Sequence, residues 1–433
     1  MEKKRIKNFI LSVIFFLLLL LTVFASSEVL KRKKSFYYKD QFFMSAVPYD
    51  VLFFGSSHMH EGIDPVYLWE TYGISSYNLA SSGESIQMTY YVMKEAFRHS
   101  VPKAVIIDSF KIMDREDAIN AEYAFVHESI DALPLNRNKL EAADYASRFF
   151  DGGRMAFLSN LYAYHSRYNE LGKDDFVRER TLDKGAYIMT EMVKAEAPDP
   201  DSYIEDTTEF KGGDGVRYYE RIIALCREKG VVPILVNIPA NKGNYTAEAQ
   251  KRVNTLMRYT EENGGKSINF LPLLDEIGID YDRDFGDASH LNFMGAEKTA
   301  DYIASFLKAE LGFADHRQEE AYASVWDEDV KAWRAQKVDL LRKRKDAVAY
   351  IFMAEDPDRE IRVLMQESDS ISGMYGLEYC LERTGAELRE ASSEETGGYD
   401  MKVEVRSRAD GSSLAEGYFN RDAGGKYVRA DED

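Results

Sequence analysis

Residues 51–58 of the chain read VLFFGSSH, a short apolar run closed by a glycine and two serines. Such a run predicts a buried strand that breaks into a turn at Gly55. A tight turn after a strand raises the next hydroxyl, here that of Ser57, above the edge of a sheet. We therefore predict that Ser57 lies at the carboxyl end of a strand, which is where open α/β sheets bind ligands.

Apolar runs and helical patterns continue to alternate along the chain. Amphipathic spacing predicts crossover helices at 85–99 and 246–263. Strands are predicted at 50–55, 75–79, 103–108, 231–237 and 267–271. This alternation predicts an α/β fold with a doubly wound, flavodoxin-like, five-stranded parallel sheet.

The length of 433 residues exceeds what one ordinary core supports, so more than one folded unit is expected. We predict an N-terminal membrane anchor with basic flanks over 1–34 and a main α/β domain over 35–314. A Tyr-rich and charged helical insertion interrupts the main domain at about 111–212, where it either walls a pocket or only completes the packing. The remainder, 315–433, is expected to form a charged helix and a small acidic α+β accessory domain.

The last part of the chain contains no catalytic motif that we recognise. A charged helix is predicted at 322–343, where it would act as a spacer. Strands are predicted at 348–352, 361–364 and 401–405 from apolar or alternating runs. The role of this part is not readable from its sequence.

The N-terminal part is strongly apolar. Residues 9–24 are almost entirely Leu, Ile, Val and Phe, and with their edges they reach the roughly 20 residues that cross a bilayer. Basic residues stand on both sides, at 3–7 and 31–34, so the positive-inside comparison leaves the orientation open. A cleaved signal peptide, with a small-residue site at 23–26, is the competing interpretation. Either way the bulk of the chain is expected outside the cytoplasm, and an uncleaved helix would make it a single-pass protein of the cell membrane.

Charge and cysteine content argue against two other classes of protein. A chain with a formal net charge of −19 lacks the positive surface that phosphate backbones require, so no nucleic-acid partner is expected. Cys226 and Cys380 are too few for a disulfide scaffold and are predicted to be buried thiols.

A second motif far along the chain complements the first. Residues 287–292 read DASHLN and place an aspartate three residues before a histidine. The imidazole of His290 would take the proton of Ser57, while Asp287 fixes the tautomer and stabilises the imidazolium. These three residues are the predicted nucleophile, general base and orienting carboxylate.

Residues 78–83, NLASSG, follow the second predicted strand and complete the pattern. Together with the two other motifs they resemble the SGNH/GDSL hydrolase superfamily, over roughly residues 48–310. Residues 54–58, FGSSH, and 290–298, HLNFMGAEK, look in particular like membrane-anchored SGNH proteins of Gram-positive bacteria, relatives of the D-alanine transfer protein of teichoic acid synthesis.

The resemblance assigns roles to individual residues. It makes Ser57 the nucleophile, with Ser56 in place of the superfamily's usual aspartate. His290 becomes the general base and Asp287 its partner. The backbone N–H groups of Ser57 and Gly83 would form two arms of an oxyanion hole, and the missing side chain of Gly83 would let the backbone approach the substrate.

The superfamily's third oxyanion donor, an asparagine after the third strand, is absent, because residues 107–110 read IDSF. Asn237 and Asn241, after the fourth predicted strand, are candidate substitutes. Whether an acyl group on Ser57 would pass to water or to another hydroxyl stays open on the sequence.

Smaller features have competing interpretations. His58 and His60 are expected to line a pocket rather than to bind a metal, because no Cys or acidic motif accompanies them. Asp64 with its following proline predicts the start of a helix. Asp108, at the end of the third strand, either touches the active site or caps a turn.

The resemblance implies an extracytoplasmic serine acyl esterase or O-acyltransferase. Its substrate would be the O-acyl groups of a cell-envelope glycopolymer, such as an acylated cell-wall polymer or exopolysaccharide, and Ser57 would form an acyl-serine intermediate. No cofactor and no metal are expected. The alternative is a non-catalytic scaffold or binding subunit that partners a membrane acyl-export or acyl-transfer protein.

Overall fold

A five-stranded, all-parallel sheet forms the centre of the main α/β domain. The computed structural model describes residues 2–31, 37–45, 47–110, 112–113, 122–177, 180–211, 213–366, 376–422 and 425–430. The strands of this sheet are β1 Val51–Phe54, β2 Ser76–Asn78, β3 Ala104–Asp108, β4 Val232–Asn237 and β5 Lys266–Asn269. Their order is β2-β1-β3-β4-β5. The predicted α/β fold with a parallel sheet is confirmed, and each strand lies within two residues of its predicted ends.

Burial explains why these short runs form central strands. Every residue of β1 and of β3 is buried, which is typical of parallel strands covered by helices on both faces. The edge strand β2 is only three residues long, which limits the backbone that it leaves unpaired.

Helices cover the sheet and extend beyond it. In chain order they are α1 Glu2–Leu30, α2 Tyr37–Met44, α3 Ser57–Gly62, α4 Pro65–Tyr72, α5 Ile86–His99, α6 Tyr123–Ile130, α7 Arg137–Ala146, α8 Gly153–Leu158, α9 Asn160–Tyr164, α10 Asp214–Lys229, α11 Ala247–Glu262, α12 Phe293–Leu311, α13 Glu320–Leu341, α14 Ala347–Ala354 and α15 Leu377–Thr384. The predicted crossover helices correspond to α5 and α11. Helices α6 to α9 lie in the predicted insertion, of which residues 111, 114–121, 178–179 and 212 fall outside the described part of the chain.

The first helix is apolar along its length. Residues Lys4–Leu30 form a helix long and apolar enough to cross a membrane, and its residues 4–25 are exposed. The same length and composition fit a signal sequence near the N-terminus. The basic residues 32–34 that were predicted to flank it lie outside the described residues.

A second sheet occupies the last part of the chain. Its strands are β6 Arg359–Met365, β7 Glu387–Glu390, β8 Met401–Ser407, β9 Ser413–Arg421 and β10 Tyr427–Arg429. Their order is β10-β9-β8-β6-β7, and only the β6–β7 pair is parallel. The strands predicted at 361–364 and 401–405 lie within β6 and β8.

The strand predicted at 348–352 is wrong, because these residues lie in α14. The side chain of Asp346 caps this helix by accepting a hydrogen bond from the Ala349 N–H at 3.0 Å. The helix is buried on most sides, so its sequence is apolar throughout and carries no period that separates a helix from a strand.

The charged helix predicted at 322–343 is confirmed as α13, but it packs on the main domain instead of acting as a free spacer. Its Trp326 is fully buried and stacks on Trp69 of α4, with ring centroids 5.0 Å apart. Both cysteines, Cys226 and Cys380, are buried free thiols, as predicted.

Candidate active site

The turn that follows β1 places Ser57 at the carboxyl end of the sheet. Gly55 has a φ of 136°, in a region that residues with side chains rarely adopt. A Cβ atom at this position would also collide with the carboxylate of Asp108. Ser56 is the N-cap of α3, and Ser57 is the first residue of this helix. The glycine of the first motif is therefore required both by backbone conformation and by space.

Asp108 fixes the turn from the end of β3. Its Oδ2 accepts hydrogen bonds from the Ser56 N–H at 2.6 Å and from the Ser56 hydroxyl at 2.9 Å. Its Oδ1 accepts from the Phe110 N–H at 2.8 Å. Burial raises the pKa of Asp108 to about 6, although these hydrogen bonds oppose the increase. Both interpretations of Asp108 are therefore correct: it caps its own turn and it holds the residue before Ser57.

The structure brings together the three residues that the two motifs predict. The Nε2 atom of His290 lies 2.9 Å from the hydroxyl of Ser57. On the other side of the ring, Nδ1 lies 2.9 Å from Oδ2 and 3.1 Å from Oδ1 of Asp287. A hydrogen on Nδ1 would bond the carboxylate and leave Nε2 free to accept the serine proton, which is the arrangement of a serine hydrolase triad.

The histidine loop is held by its own hydrogen bonds. Asp287 accepts from the backbone N–H of Ser289 at 2.6 Å and of His290 at 2.9 Å. These bonds and the contact with His290 lower the pKa of Asp287, against the effect of its partial burial. The carboxylate is therefore ionised at neutral pH, as an orienting group must be to stabilise an imidazolium.

Asn292 anchors this loop to the rest of the domain, a role that sequence inspection did not assign. It is fully buried and caps α12 by accepting from the Met294 N–H at 3.0 Å. Its Nδ2 donates to the carbonyl oxygens of Glu191 at 2.9 Å and Arg283 at 2.6 Å. The available signal was an asparagine directly before an amphipathic run, which is a common helix start.

The two residues predicted to supply backbone donors for the oxyanion hole, Ser57 and Gly83, are both partly buried. Ser57 is the first residue of a helix, where N–H groups have no intrahelical acceptor. Gly83 has a φ of 58°, and a side chain there would collide with the ring of Phe125. Among the described residues, none accepts a hydrogen bond from the backbone N–H of Ser57 or Gly83.

Neither candidate for the third oxyanion donor bonds to Ser57. Asn237 donates to the side chain of Asn269 at 3.0 Å, at the ends of β4 and β5. Asn241 donates to the Ala288 carbonyl oxygen at 3.0 Å and to the Ser289 hydroxyl at 3.2 Å. Asn237 ties two strands together, and Asn241 supports the loop that carries His290; a third oxyanion donor stays a prediction.

A further carboxyl reaches His290 from α3. The Oε2 atom of Glu61 lies 3.3 Å from His290 Nδ1, and the side chain is 8% exposed. Burial, followed by the charges of Asp287 and Glu128, raises the pKa of Glu61 to about 8. Burial also raises the pKa of Glu128 to about 7. Sequence inspection missed Glu61, although its position four residues after Ser57 puts both on one helix face.

The ligand atoms of Glu61, Asp287 and His290 lie within 4.8 Å of one another, close enough to share a metal ion. Both ring nitrogens of His290 already face hydrogen-bonding partners, Ser57 and Asp287. We therefore interpret the group as a proton-transfer arrangement and not as a set of metal ligands. No other such group occurs among the described residues.

A cavity of about 250 Å³ lies at the carboxyl ends of β3 and β4; its lining includes His58, the residue after Ser57, but not Ser57, Asp287 or His290. His58 lines it and lies edge-on to Phe110, with ring centroids 4.3 Å apart. His60 does not line this cavity; it is buried against Tyr38, and burial lowers its pKa to about 3. Pocket lining is thus the observed role of His58 only.

The segment directly after α1 holds the loop that carries Gly83. Tyr38 of α2 donates to the Ala80 carbonyl oxygen at 2.7 Å. The Lys39 ammonium lies 2.8 Å from the carboxylate of Glu84 and 3.0 Å from the hydroxyl of Ser81. Both charged side chains of this pair are fully buried. The position of the second predicted oxyanion donor therefore depends on α2.

No model of a known protein family matches the chain, and no curated protein shows significant sequence similarity to it.

Proposed function

We propose that the chain is a membrane-anchored serine acyl esterase or O-acyltransferase of the SGNH type, acting outside the cytoplasm on the O-acyl groups of a cell-envelope glycopolymer. The observation that carries the proposal is the line of hydrogen bonds from Ser57 through His290 to Asp287. The strand order β2-β1-β3-β4-β5, which is that of flavodoxin-like sheets, also supports it. In this proposal α13 and the second sheet form a small accessory domain.

The first half-reaction forms an ester on the serine. His290 Nε2 takes the hydroxyl proton as Ser57 Oγ attacks the acyl carbon, and the carbonyl electrons move onto its oxygen. The N–H groups of Ser57 and Gly83 stabilise this oxyanion, each by about 3 kcal/mol if they match known oxyanion donors. When the tetrahedral intermediate collapses, His290 returns the proton to the oxygen of the departing alcohol, and the acyl group stays on Ser57.

The second half-reaction removes the acyl group from the serine. His290 takes a proton from an incoming hydroxyl, whose oxygen attacks the acyl carbon, and then returns that proton to Ser57. Water as the nucleophile gives hydrolysis, and a sugar or polyol hydroxyl gives transfer. The choice depends on how well the bound acceptor excludes water from the site.

The proposed substrate class follows from the anchor and the sequence resemblance. A helix with the length of a membrane span suits an enzyme that meets its polymer at the membrane surface. The cavity that His58, Asp108 and Asn237 help to line, about 250 Å³, has room for a short acyl group or part of a sugar ring.

A non-catalytic scaffold that partners a membrane acyl-export protein is the second candidate. One observation favours it: the amides of Asn237 and Asn241, the candidates for a third oxyanion donor, already donate to other groups of the protein. A scaffold has no need for the contact between Ser57 and His290, whereas an acyl-transfer enzyme does.

A serine-reactive fluorophosphonate probe separates these candidates. We expect the full-length protein in detergent micelles to be labelled, and labelling to disappear in Ser57→Ala. His290→Ala should lose labelling at neutral pH while it keeps its thermal unfolding transition, because the ring is partly exposed.

The matched control is Ser305→Ala, which removes an exposed hydroxyl of α12. It should label like the unaltered protein. Folded protein that the probe does not label would support the scaffold, and undiminished labelling of His290→Ala would refute the triad.

A further inference from the structure

Ser57 and Glu61 both face His290 from one short helix. They are four residues apart in α3, a spacing that places two side chains side by side on a helix. The imidazole lies against both, with Nε2 2.9 Å from the Ser57 hydroxyl and Nδ1 3.3 Å from Glu61 Oε2. One helix therefore presents the nucleophile to one nitrogen of the base and a carboxyl to the other.

The two carboxyls near Nδ1 differ in their surroundings. The Asp287 side chain is 50% exposed and already accepts two backbone N–H groups. The Glu61 side chain is 8% exposed, and its Oε2 has no hydrogen-bond partner among the described residues. A buried carboxyl oxygen without a donor is costly, so its place beside the catalytic ring needs a reason.

We propose that Glu61 is a second positioning residue for His290, which accepts the Nδ1 hydrogen in alternation with Asp287. The inference rests on the proposed function, because it assigns Glu61 to the same proton transfer. A small rotation of the ring moves the N–H from one carboxyl to the other while Nε2 keeps its contact with Ser57. The base then keeps its tautomer even when solvent competes for the exposed Asp287.

The titratable groups that face Glu61 set the pH range in which it stabilises a protonated His290. They are Asp287 and His290 on the loop before α12, and Glu128 on α6. Burial and the two acidic neighbours raise the pKa of Glu61 to about 8, so the carboxyl is protonated at neutral pH and ionises above that value. Ionised Glu61 stabilises an imidazolium more strongly than the neutral acid does.

The first test compares four forms of the full-length protein: unaltered, Asp287→Asn, Glu61→Gln and the double variant. The readout is the second-order rate of fluorophosphonate labelling between pH 6 and 9.5. Asp287→Asn should lose less than about 100-fold, compared with about 10⁴-fold where a single carboxylate orients the histidine. The double variant should label more slowly than the two single losses multiplied together would predict, at the rate of His290→Ala.

The pH profile distinguishes positioning from a purely structural role. The unaltered protein should label faster as the pH rises through about 8, and Glu61→Gln should lack this increase. The control Glu262→Gln alters a carboxyl at the end of α11 and should leave rate and profile unchanged. The proposal would be overturned if Glu61→Gln left the labelling rate and its pH profile unchanged, both in the unaltered protein and in Asp287→Asn.

A second measurement does not depend on catalysis. Ring-nitrogen NMR of ¹⁵N-histidine-labelled protein, with His290 assigned from its loss in His290→Gln, should show a shift of the His290 signals near pH 8. Glu61→Gln should abolish that shift. If the shift is present but Ser57 is never labelled, the proposed function fails and the Glu61–His290 contact stands. If the shift persists in Glu61→Gln, the Glu61 proposal is wrong.

Discussion

Gly55 determines the position of Ser57, the proposed nucleophile. Its φ of 136° lets the chain turn sharply from β1 into α3, and its missing side chain leaves room for the Asp108 carboxylate. That carboxylate in turn holds the backbone and hydroxyl of Ser56. A position one residue from the nucleophile is thus fixed by a glycine and a buried acid.

Gly55→Ala should displace this turn and abolish labelling of Ser57. The strained backbone alone should cost about 1–3 kcal/mol of the free energy of unfolding, and the collision with Asp108 adds to that cost. The control is Gly230→Ala, which has a φ of 70° but no atom within 4 Å of the new methyl group. It should lose about 1–2 kcal/mol and label normally. Normal labelling of Gly55→Ala would show that the turn tolerates a side chain.

The residues of the triad could be read from the sequence, whereas the role of Asp108 was left open between two interpretations and Glu61 was missed. Ser57, Asp287 and His290 stand in short motifs whose residue types match one chemistry. Asp108 and Glu61 join them through contacts that depend on β3 lying beside β1 and on α3 being helical. Such contacts leave no pattern along the chain, since a lone Asp or Glu is usually a solvated residue.

Helix α2 follows the N-terminal helix and contacts the loop that carries Gly83. Its Lys39 forms a fully buried ion pair with Glu84, on the loop that carries Gly83. Removing one partner of a buried pair leaves an uncompensated charge, which is far more costly than losing an exposed pair. The loop is therefore held by electrostatics as well as by the bond from Tyr38.

Lys39→Met should destabilise the protein by about 3–5 kcal/mol, because Glu84 then stays buried without its cation. Combining it with Glu84→Gln should recover part of this loss. Lys266→Met is the control, because it breaks an exposed pair with Glu310 and should change the free energy by less than about 1 kcal/mol. Urea denaturation measures all three. Equal losses for Lys39→Met and Lys266→Met would contradict the buried pair.

Amphipathic helices and the short apolar strands of the parallel sheet were predictable, and the short apolar helix α14 was not. The strands of the parallel sheet and helices α5 and α11 follow from apolar runs and amphipathic spacing. The apolar run at 348–352 fits a strand as well as a buried helix, and the Asp346 cap decides for α14. Local sequence thus predicted the amphipathic helices and the short buried strands, but it did not separate a short buried helix from a strand.

At the scale of the whole molecule, the sequence did not predict which distant elements pack against each other. The stacking of Trp326 on Trp69 attaches α13 to the main domain, yet a charged helix with two tryptophans predicts no particular partner. An ion pair between the partly buried Lys337 and the buried Glu297 adds to this contact at 2.7 Å. Chemical complementarity of this kind becomes visible only after the fold brings distant residues together.

The stability of the molecule should fall as the pH rises from 6.5 to 9. The pKa values of Glu61 and Glu128 are raised to about 8 and about 7, so the folded state holds protons that the unfolded state has already released. Where the folded state binds more protons, the free energy of unfolding decreases with pH. Below 6.5 the buried His60, with its pKa lowered to about 3, acts in the opposite direction.

Differential scanning calorimetry of the full chain in detergent micelles checks this expectation. The melting temperature should decline between pH 6.5 and pH 9, and Glu61→Gln should flatten that decline. A melting temperature that rises between pH 7 and pH 9 would contradict the assigned burial of both acids.

The short link between α1 and α2 limits how far the proposed active site can lie from the end of α1. Helix α1 ends at Leu30, whose carbonyl oxygen is bound by Arg167, and α2 begins at Tyr37, so the backbone alone limits their separation to about 25 Å. With α1 in the bilayer, the proposed catalytic serine works at a fixed height above the lipid headgroups. Ser57 would then reach the acyl groups of a growing polymer only while their segment lies next to the membrane. Segments farther from the membrane would keep the acyl groups that they carry.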